Sequence, residues 1–443
     1  MAEAEDPNLI ARYTNAPATG QLKPPSILAM GVGGGGCNAV AYMSQQGVQG
    51  VDFVALNTDG QALDPIPIST KILLGPVTCE GMGAGGKPEI GEAAAEESEP
   101  EIEKLLSPEV KMVFVTAGMG GGTGTGAAPV VANIAKKRGV LTVGIVTIPF
   151  LFEGLEKIRS AIDGAARLQG NVDALLLINN DRLATIYPDM AWEDAFSKAD
   201  DILCTAARTI SDMVTKRGNI NTDMRDVDTC LRNGRTALIS VGYGEGTDRM
   251  QKAIADALHS PLLCDTNIMT AKELLFGFYY SHDLTPRLSV AEANQATNLV
   301  KEINKSVHIK FGWGFDDTLG NKLKFAILAS GFDVSVDTAG QTTIIEGNTP
   351  ADARSNDDLS AIAAAYGQDK VEDIIRRQET QNYYILSPEE LDDDQAIAQV
   401  EATPAYNRDK RKVARDAQKR RNSEQSQRSQ GVVSDTIQFS LDD

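Results

Sequence analysis

The chain has 443 residues, a formal net charge of −19, and a composition of 42% hydrophobic and 23% charged residues. This length allows two or three folded units, and the negative charge argues against bulk binding to nucleic acid or to an anionic membrane. The five cysteines form no CxxC pair, which excludes a recognisable zinc or redox motif. The acidic start predicts no signal peptide, and no apolar run is long enough for a transmembrane helix.

Strands and helices alternate through the first half of the chain. Residues 1–25 show little periodicity, contain Pro17, Pro24 and Pro25 among their prolines, and predict a flexible N-terminal extension. Apolar runs then predict strands at 26–31, 51–57, 111–117, 141–149 and 174–179. A turn and a helix follow the first strand, and the helix after the third strand is predicted with Pro129 in its first turn and Gly139 at its end. This alternation predicts a doubly wound α/β domain with a parallel sheet.

A long helix and a second α/β region come next. Within residues 193–217 an apolar stripe recurs at spacings of three and four: Phe196, Ala199, Leu203, Ala206, Ile210 and Met213. A strand at 236–244, a helix opened by Thr247 and a strand at 322–332 follow. Residues 334–430 read as a mostly disordered, charge-blocked linker with one helix near 357–378.

Two glycine-rich turns carry the clearest chemical signal. GVGGGG (31–36) and GMGGGTGTG (118–126) each follow a strand and precede a helix. Bare glycine backbone lets N–H groups approach an anion, and the next helix points its positive end at it. Two such turns on neighbouring strands favour one extended polyphosphate, and no GxxxxGK[ST] motif is present. The alternative is tight helix–sheet packing without any ligand.

Six motifs in order resemble the tubulin/FtsZ family of GTPases: GVGGGGCNAV, NTDGQAL, GMGAGGKPEIG, GGGTGTG, FEG and NTDMRDV. The resemblance covers roughly residues 26–333. It implies a tubulin-like fold with a Rossmann-type GTP-binding domain (26–192), a central helix (193–218) and a smaller α/β C-terminal activation domain (219–333). A disordered tail follows, with residues 431–443 as a C-terminal partner-binding peptide.

The resemblance also implies a binding site for GTP or GDP with Mg²⁺. Its phosphate side would comprise Gly33, Gly34, Gly35 and Asn38, then Asn57, Thr58 and Asp59, then Ala84, Gly85 and Gly86, and finally Gly118, Gly120, Gly121, Gly122, Thr123, Gly124 and Thr125. Thr123 and Thr125 could contact phosphate or a hydrated magnesium ion. The ribose side would comprise Glu153 and Asn180, while Phe196 would stack on the base and Asp200 would bind guanine. Lys157 would also belong to the nucleotide site, where it keeps a positive charge but not the bidentate phosphate geometry of arginine.

The guanine role of Asp200 also has a chemical rationale. A carboxylate can accept hydrogen bonds from both N1–H and the 2-amino group of guanine, whereas adenine lacks this donor pair. Phe196 and Asp200 are four residues apart, which places them on one helix face. The alternative for Asp200 is a polar residue on a solvated helix face.

Asn221, Asp223 and Asp226 follow the long helix. A 25-residue helix spans roughly 35–40 Å, so a loop at its far end cannot reach a nucleotide at its near end. The loop could instead reach the next subunit in a head-to-tail filament. The resemblance implies that these residues are catalytic and polarise the attacking water at the neighbour's γ-phosphate. The alternative is that the acids merely cap turns.

Four places depart from the usual family pattern. Lys87 stands where asparagine is usual, and Lys157 stands where arginine is usual, with Arg159 as a possible substitute. Leu155 and Glu156 replace a basic pair, and Met224-Arg225 replaces Phe-Ala. Arg225 could contact the neighbour's phosphates or pair with Asp223 or Asp226. The sequence does not choose between these.

The sequence therefore predicts a self-polymerising cytoskeletal GTPase that forms the scaffold of the cell-division ring. It would lie in the cytoplasm at the division site, without inserting into the membrane. Its tail would bind division proteins and membrane anchors, although SDTIQFSLDD could be a plain tail and the basic block 408–421 a solvated linker. The alternatives are a non-polymerising tubulin-like GTPase switch and, less favoured, a Rossmann nucleotide-dependent oxidoreductase.

Overall fold

A computed structural model describes residues 27–216, 222–258, 271–295, 308–332, 336–338, 341–343, 361–363 and 365–372. The predicted N-terminal extension, Asn221, the basic block 408–421 and the predicted C-terminal peptide lie outside these described residues. The chain divides into two compact units, residues 1–365 and 366–443. All the named strands and helices below belong to the first unit. In the second, residues 368–372 are helical.

The first part of the chain alternates between strands and helices. The strands are β1 (Ile27–Val32), β2 (Val51–Asn57), β3 (Thr70–Leu73), β4 (Met112–Gly118), β5 (Leu141–Ile148) and β6 (Ala174–Asn179). The helices are α1 (Gly33–Gln45), α2 (Gly60–Leu63), α3 (Pro88–Glu97), α4 (Glu99–Leu105), α5 (Gly122–Lys137), α6 (Leu155–Asn171), α7 (Asn180–Ile186), α8 (Trp192–Thr215) and α9 (Met224–Leu231), with a 3-10 turn at Leu151–Glu153. Strands β1 and β5 are buried along their whole length, as parallel strands covered by helices are.

The second part adds β7 (Arg235–Gly244), α10 (Arg249–Leu258), β8 (Glu273–Tyr280), β9 (His308–Phe315) and β10 (Leu323–Ser330), with a 3-10 turn at Asp317–Leu319. A hairpin of β11 (Val336–Thr338) and β12 (Gln341–Thr343) lies in the predicted linker and was not expected. The helix expected near 357–378 is confirmed for the described helical residues 361–363, 365–366 and 368–372. None of the described helices is long and apolar enough to cross a membrane.

One sheet connects both regions. Its strand order is β3-β2-β1-β4-β5-β6-β7-β10-β8-β9. Strands β6 and β7 pair in parallel through Ala174–Arg235 and Leu175–Thr236, whereas β10 is antiparallel to both of its neighbours. All strands of this sheet except β10 therefore run in one direction. We name the edge where they end the carboxyl edge and the edge where they begin the amino edge.

The long helix α8 has 24 residues and packs its predicted stripe into the core. Ala199, Leu203, Ala206, Ile210 and Met213 are buried. Phe196 differs from the rest of the stripe, because 41% of its surface is exposed. The stripe prediction is thus confirmed for the helix body, while the helix start leaves its aromatic ring accessible.

Buried charges fix the end of α8 against the second region. Lys324 of β10 donates to Asp212 of α8 over 2.9 Å, and both side chains are buried. Lys216 pairs with Asp212 at 3.4 Å and also with Asp316. The Lys324 ammonium lies 5.4 Å from the centre of the Tyr279 ring. These contacts connect the end of α8 to β8 and β10. Removing one partner of the Lys324–Asp212 pair would leave a buried charge uncompensated, which is costly.

The position of Pro129 corrects one prediction. Helix α5 begins at Gly122, within the glycine run, so Pro129 lies inside the helix and not in its first turn. The glycines allow α5 to pack closely on α3: a Cβ added at Gly126 would lie 1.9 Å from the Pro88 carbonyl oxygen. Tertiary packing of bare backbone therefore outweighs the low helix propensity of glycine.

This packing yields a stability prediction. We expect Gly126→Ala to lower the free energy of unfolding by about 1–3 kcal/mol, since the new methyl group cannot be accommodated without moving α3. Gly170→Ala is the matched control, because an added Cβ on this α6 glycine meets no described atom within 4 Å. Denaturant unfolding of the nucleotide-free protein measures both variants. Equal midpoints would contradict the packing argument.

Candidate nucleotide site and a second cluster at the opposite edge

The two glycine turns meet at the carboxyl edge. Strands β1 and β4 are direct neighbours, and both turns follow their last residues. A Cβ added at Gly33 would lie 2.8 Å from the Gly124 nitrogen, and one added at Gly35 would lie 3.4 Å from the Gly118 Cα. The predicted turns therefore form one continuous backbone surface.

The glycines of this surface fall into two groups. Gly36 and Gly124 pack against backbone, with an added Cβ 2.3 Å from the Thr116 oxygen and 2.5 Å from the Gly118 oxygen respectively. At these two positions glycine is required by tight packing within the fold, which was the alternative to a ligand. At Gly34 and Gly121, in contrast, an added Cβ would meet no described atom within 4 Å.

Open space also surrounds Gly85 and Gly86 in the loop before α3. That loop lies against the start of α5, because a Cβ added at Gly122 would lie 2.9 Å from the Ala84 side chain and 2.8 Å from the Lys87 nitrogen. The bare backbone at these open positions has no packing partner within the described chain. Gly85 and Gly86 have positive φ values of 58° and 75°, a backbone conformation that glycine adopts without strain. Gly34 and Gly121 have no such requirement, and their bare backbone leaves space that a ligand could occupy.

Two threonine contacts shape the second turn. The hydroxyl oxygens of Thr58 and Thr123 lie 2.6 Å apart, which joins the end of β2 to the turn. The Gly120 N–H donates to Thr125 Oγ1 over 2.8 Å. Thr125 is buried, and its hydroxyl group holds the turn by this hydrogen bond from the interior. Thr123 is partly exposed.

Other predicted residues of the phosphate side lie beside these turns. Asn57 is buried at the end of β2, and Asp59 caps α2 by accepting from the Ala62 N–H over 3.1 Å. Asn38 is exposed on α1. The structure thus groups Asn57, Thr58 and Asp59 at the carboxyl edge, as predicted, but gives Asp59 a local capping role as well.

Ion pairs hold the segment after β5. The Glu153 carboxylate accepts from the Phe150 N–H over 2.8 Å and from Lys157 over 2.6 Å. Arg159 pairs with Glu156 at 3.0 Å. Lys157 and its possible substitute Arg159 are therefore both paired with glutamates of their own segment.

Asn180 carries an unsatisfied buried atom. It opens α7 after β6, and its side chain is 5% exposed. Its Oδ1 has no hydrogen-bond partner among the described residues. A buried acceptor without a partner is costly, and a ligand hydroxyl group would satisfy it.

Phe196 and Asp200 lie on one face of α8, near its start. The Phe196 ring packs edge-on against Phe150, with 5.3 Å between ring centres. Burial raises the pKa of Asp200 to about 7. Phe150, which also stacks on Phe152 at 4.9 Å, was not predicted from the sequence, although aromatic residues on both sides of Leu151 were a possible signal.

A second cluster lies at the start of α9. Asp223 accepts from the Asp226 N–H over 2.9 Å, and Asp226 accepts from the Asp223 N–H over 3.0 Å, which forms a reciprocal capping box. Asp226 also pairs with Lys310 of β9 at 2.7 Å. Burial raises the pKa of Asp226, but the hydrogen bonds from Lys310 and the Asp223 N–H outweigh it and lower that pKa.

This cluster lies at the opposite edge of the sheet from the glycine turns. Lys310 is the third residue of β9, which begins beside the first residue of β8. Neither β9 nor Lys310 was predicted, although the alternation in HIKFGWGF is a strand signal. Arg225 is exposed and forms no ion pair with Asp223 or Asp226 among the described residues, so the pairing alternative for Arg225 is not supported.

Sequence comparison identifies the fold around this site. The sequence model of the Tubulin/FtsZ family GTPase domain matches residues 26–188, and that of the FtsZ family C-terminal domain matches residues 235–333. The chain belongs to the tubulin/FtsZ family. A third model, described as FtsZ, C-terminal, matches residues 378–421, so the family similarity extends into the predicted linker.

Relatives support the same assignment. The chain is 43% identical over 402 residues to cell division protein FtsZ of Porphyromonas gingivalis, covering 87% of this chain and 86% of the relative. It is 42% identical to cell division protein FtsZ 1 of Thermococcus kodakarensis, covering 69% and 80% respectively. This chain is accordingly a cytoskeletal GTPase of cell division, and the oxidoreductase alternative is not supported.

Solved structures confirm the predicted tubulin-like fold. The empty FtsZ dimer of M. jannaschii matches with a TM-score of 0.64 and 38% identity, covering 70% of this chain and 89% of that chain. CetZ2 of Haloferax volcanii, in a GTPγS-bound protofilament, matches with a TM-score of 0.61 at 20% identity, covering 79% and 99%. The second likeness concerns the fold alone.

The open glycines yield a binding prediction. We expect Gly34→Ala to weaken GTP binding about tenfold or more, because the new methyl group would keep the phosphates from approaching the backbone N–H groups. The free energy of unfolding of the nucleotide-free protein should not fall, because the added methyl group has space. Fluorescent GTP titration and denaturant unfolding measure the two quantities. Normal GTP affinity in this variant would contradict the ligand role of the turn.

Proposed function

We propose that the chain binds GTP with Mg²⁺ at the carboxyl edge, assembles head to tail and hydrolyses GTP at each junction, as the scaffold of a division ring. One observation carries the proposal: the glycine turns and the Asp223–Asp226 pair occupy opposite edges of one sheet. A carboxylate at the amino edge cannot serve the glycine turns of its own subunit. It can serve those of a neighbour stacked in the same direction.

The phosphates would lie against the open glycines. A Cβ added at Gly34 or Gly121 meets no described atom within 4 Å, so a ligand can approach the backbone there, and α1 and α5 begin at these turns. The positive ends of both helices favour a polyanion there. On the ribose side, the unsatisfied Oδ1 of Asn180 would accept a hydroxyl group.

The residues present fit a phosphate-held Mg²⁺. The Thr58 and Thr123 hydroxyl oxygens lie 2.6 Å apart beside the glycine turns, and Asp59 follows directly after Thr58. Magnesium usually takes only one or two protein oxygens and fills its shell with phosphate and water. Thr123 and Asp59 are the oxygen donors that we assign to it, and its chemistry would be to neutralise charge on the phosphates.

Guanine recognition is assigned to Phe196 and Asp200. The exposed face of Phe196 offers a stacking surface held in place by Phe150. Asp200 is one turn further along α8. Its ionised carboxylate can accept from both guanine donors, and these hydrogen bonds would favour the charged form that burial disfavours.

This assignment predicts pH-dependent selectivity. Because the pKa of Asp200 lies near 7 without ligand, GTP affinity should rise as pH increases from 6 to 8 and then level off. Inosine triphosphate, which lacks the 2-amino group, should show a smaller rise. Asp200→Asn should lose both the GTP preference and the pH dependence. Titrations of the monomer at low protein concentration measure these effects, and an unchanged pH dependence in Asp200→Asn would contradict the assignment.

Self-association supports the junction model. The FtsZ of M. jannaschii, 38% identical to this chain, has a structure described as a dimer. The capping role of Asp223 and Asp226 does not compete with a catalytic role, because Asp223 Oδ2 accepts no hydrogen bond from the described residues. Asn221 would complete the set.

The junction model predicts separable assembly and hydrolysis. Asp223→Asn and Asp226→Asn should reduce GTP turnover at least tenfold, as loss of a group that polarises water does, while filaments still pellet with GTP. Asparagine retains the helix cap, so folding is preserved. Asp52→Asn, at an exposed position of β2, is the matched control.

Turnover should rise more than linearly with protein concentration, since only junctions are active. Linear turnover without a pellet would favour the non-polymerising switch. GTP should support pelleting and ATP should not.

The tail is assigned a docking role. We infer that residues 431–443 bind division proteins and membrane anchors, which would place the filament in the cytoplasm at the division site. The alternating Ile437, Phe439 and Leu441 among acidic residues support a docking peptide. No nucleic acid partner is proposed, given the net charge of −19.

A further inference from the structure

Lys310 provides the second contact of Asp226. Its ammonium nitrogen lies 2.7 Å from Asp226 Oδ1, and its side chain is 45% exposed. The charged groups that face it are Asp226, Asp223 and Glu273, all acidic. The hydrogen bond to Asp226 raises the pKa of Lys310, so the cation persists at every physiological pH.

The two carboxylates of the capping box are therefore unequal. Asp226 uses Oδ1 for Lys310 and Oδ2 for the Asp223 N–H. Asp223 uses Oδ1 for the Asp226 N–H, and its Oδ2 accepts no hydrogen bond from the described residues. The two residues also differ in exposure, because Asp223 is exposed and Asp226 is half-buried.

We propose that Lys310 is a positioning residue for GTP hydrolysis: it holds the Asp226 carboxylate in place through Oδ1 and leaves Asp223 Oδ2 as the oxygen that contacts the attacking water. The inference rests on the proposed function of Asp223 and Asp226 at the junction. Asp226 then acts by its fixed negative charge and by holding the Asp223 backbone, and Asp223 is the catalytic residue that polarises the water.

The placement of Lys310 makes this assignment possible. Lys310 lies on β9, which pairs with β8 along its whole length. The backbone that carries the ammonium group is therefore held by the sheet. A carboxylate held by a cation and a backbone N–H is a poor proton acceptor. Asp223, without a cationic partner at 4 Å or less among the described residues, keeps its ability to accept a hydrogen bond from water.

The test is a double-mutant cycle on GTP turnover per pelleted subunit. Lys310→Ala should lower turnover roughly tenfold, and Lys310→Arg should retain it within about threefold, since arginine keeps the charge. In an Asp226→Asn background, Lys310→Ala should change turnover by less than about twofold, because its partner is already neutral. Asp223→Asn should cost more than Asp226→Asn.

Lys252→Ala is the matched control. This lysine lies on α10 and donates to the Glu245 carbonyl oxygen over 3.2 Å, so its loss removes one positive charge without touching α9. Its turnover should equal that of the unmodified chain. If Lys310 had a purely structural role, Lys310→Ala would instead lower the amount of pelleted protein, and Lys310→Arg would not restore turnover. The loss of turnover would also be the same in the Asp226→Asn background as in the unmodified chain.

The outcomes separate the two levels of inference. If Asp223→Asn and Asp226→Asn both retain full turnover, the junction model itself fails. If both lower turnover but Lys310→Ala does not, or if its effect persists in the Asp226→Asn background, only the role of Lys310 is overturned. If Asp226→Asn costs more than Asp223→Asn, the assignment of the water contact to Asp223 is overturned.

Discussion

Strand direction governs where chemistry can occur in this protein. Because all strands of the main sheet except β10 run the same way, both glycine turns lie at one edge, while the start of β9 and its contact Asp226 lie at the other. The pairing of β6 with β7 carries this direction across both regions. A site that needs groups from both edges then requires two subunits, and polymerisation becomes part of the proposed active site.

Bare backbone serves two purposes within a few residues. Gly126 permits α5 to approach Pro88, whereas Gly34 and Gly121 face open space. The first kind of glycine lets α5 pack against the segment at Pro88, and the second kind leaves bare backbone accessible at the starts of α1 and α5. The packing interpretation therefore holds at Gly126, and the binding interpretation stays a proposal for Gly34 and Gly121.

Helix capping and the proposed catalytic role involve the same two residues at the start of α9. The hydrogen bonds that fix Asp223 and Asp226 locally also orient their carboxylates at the surface. The buried Lys324–Asp212 pair connects the far end of α8 to β10, so the elements on either side of this cluster are held to a common core. A residue that stabilises a helix end is thus well placed to present a charge with fixed geometry.

The sequence alone determined the strands with continuous apolar runs, the α8 stripe, the family and the residues of the nucleotide edge, because each depends on local pattern or on contiguous motifs. Only the tertiary structure decided which glycines pack and which face open space, that Pro129 lies within α5, and that Lys310 pairs with Asp226. Those outcomes depend on contacts between residues far apart in sequence, such as the 84 positions that separate Asp226 from Lys310, and no local pattern encodes them.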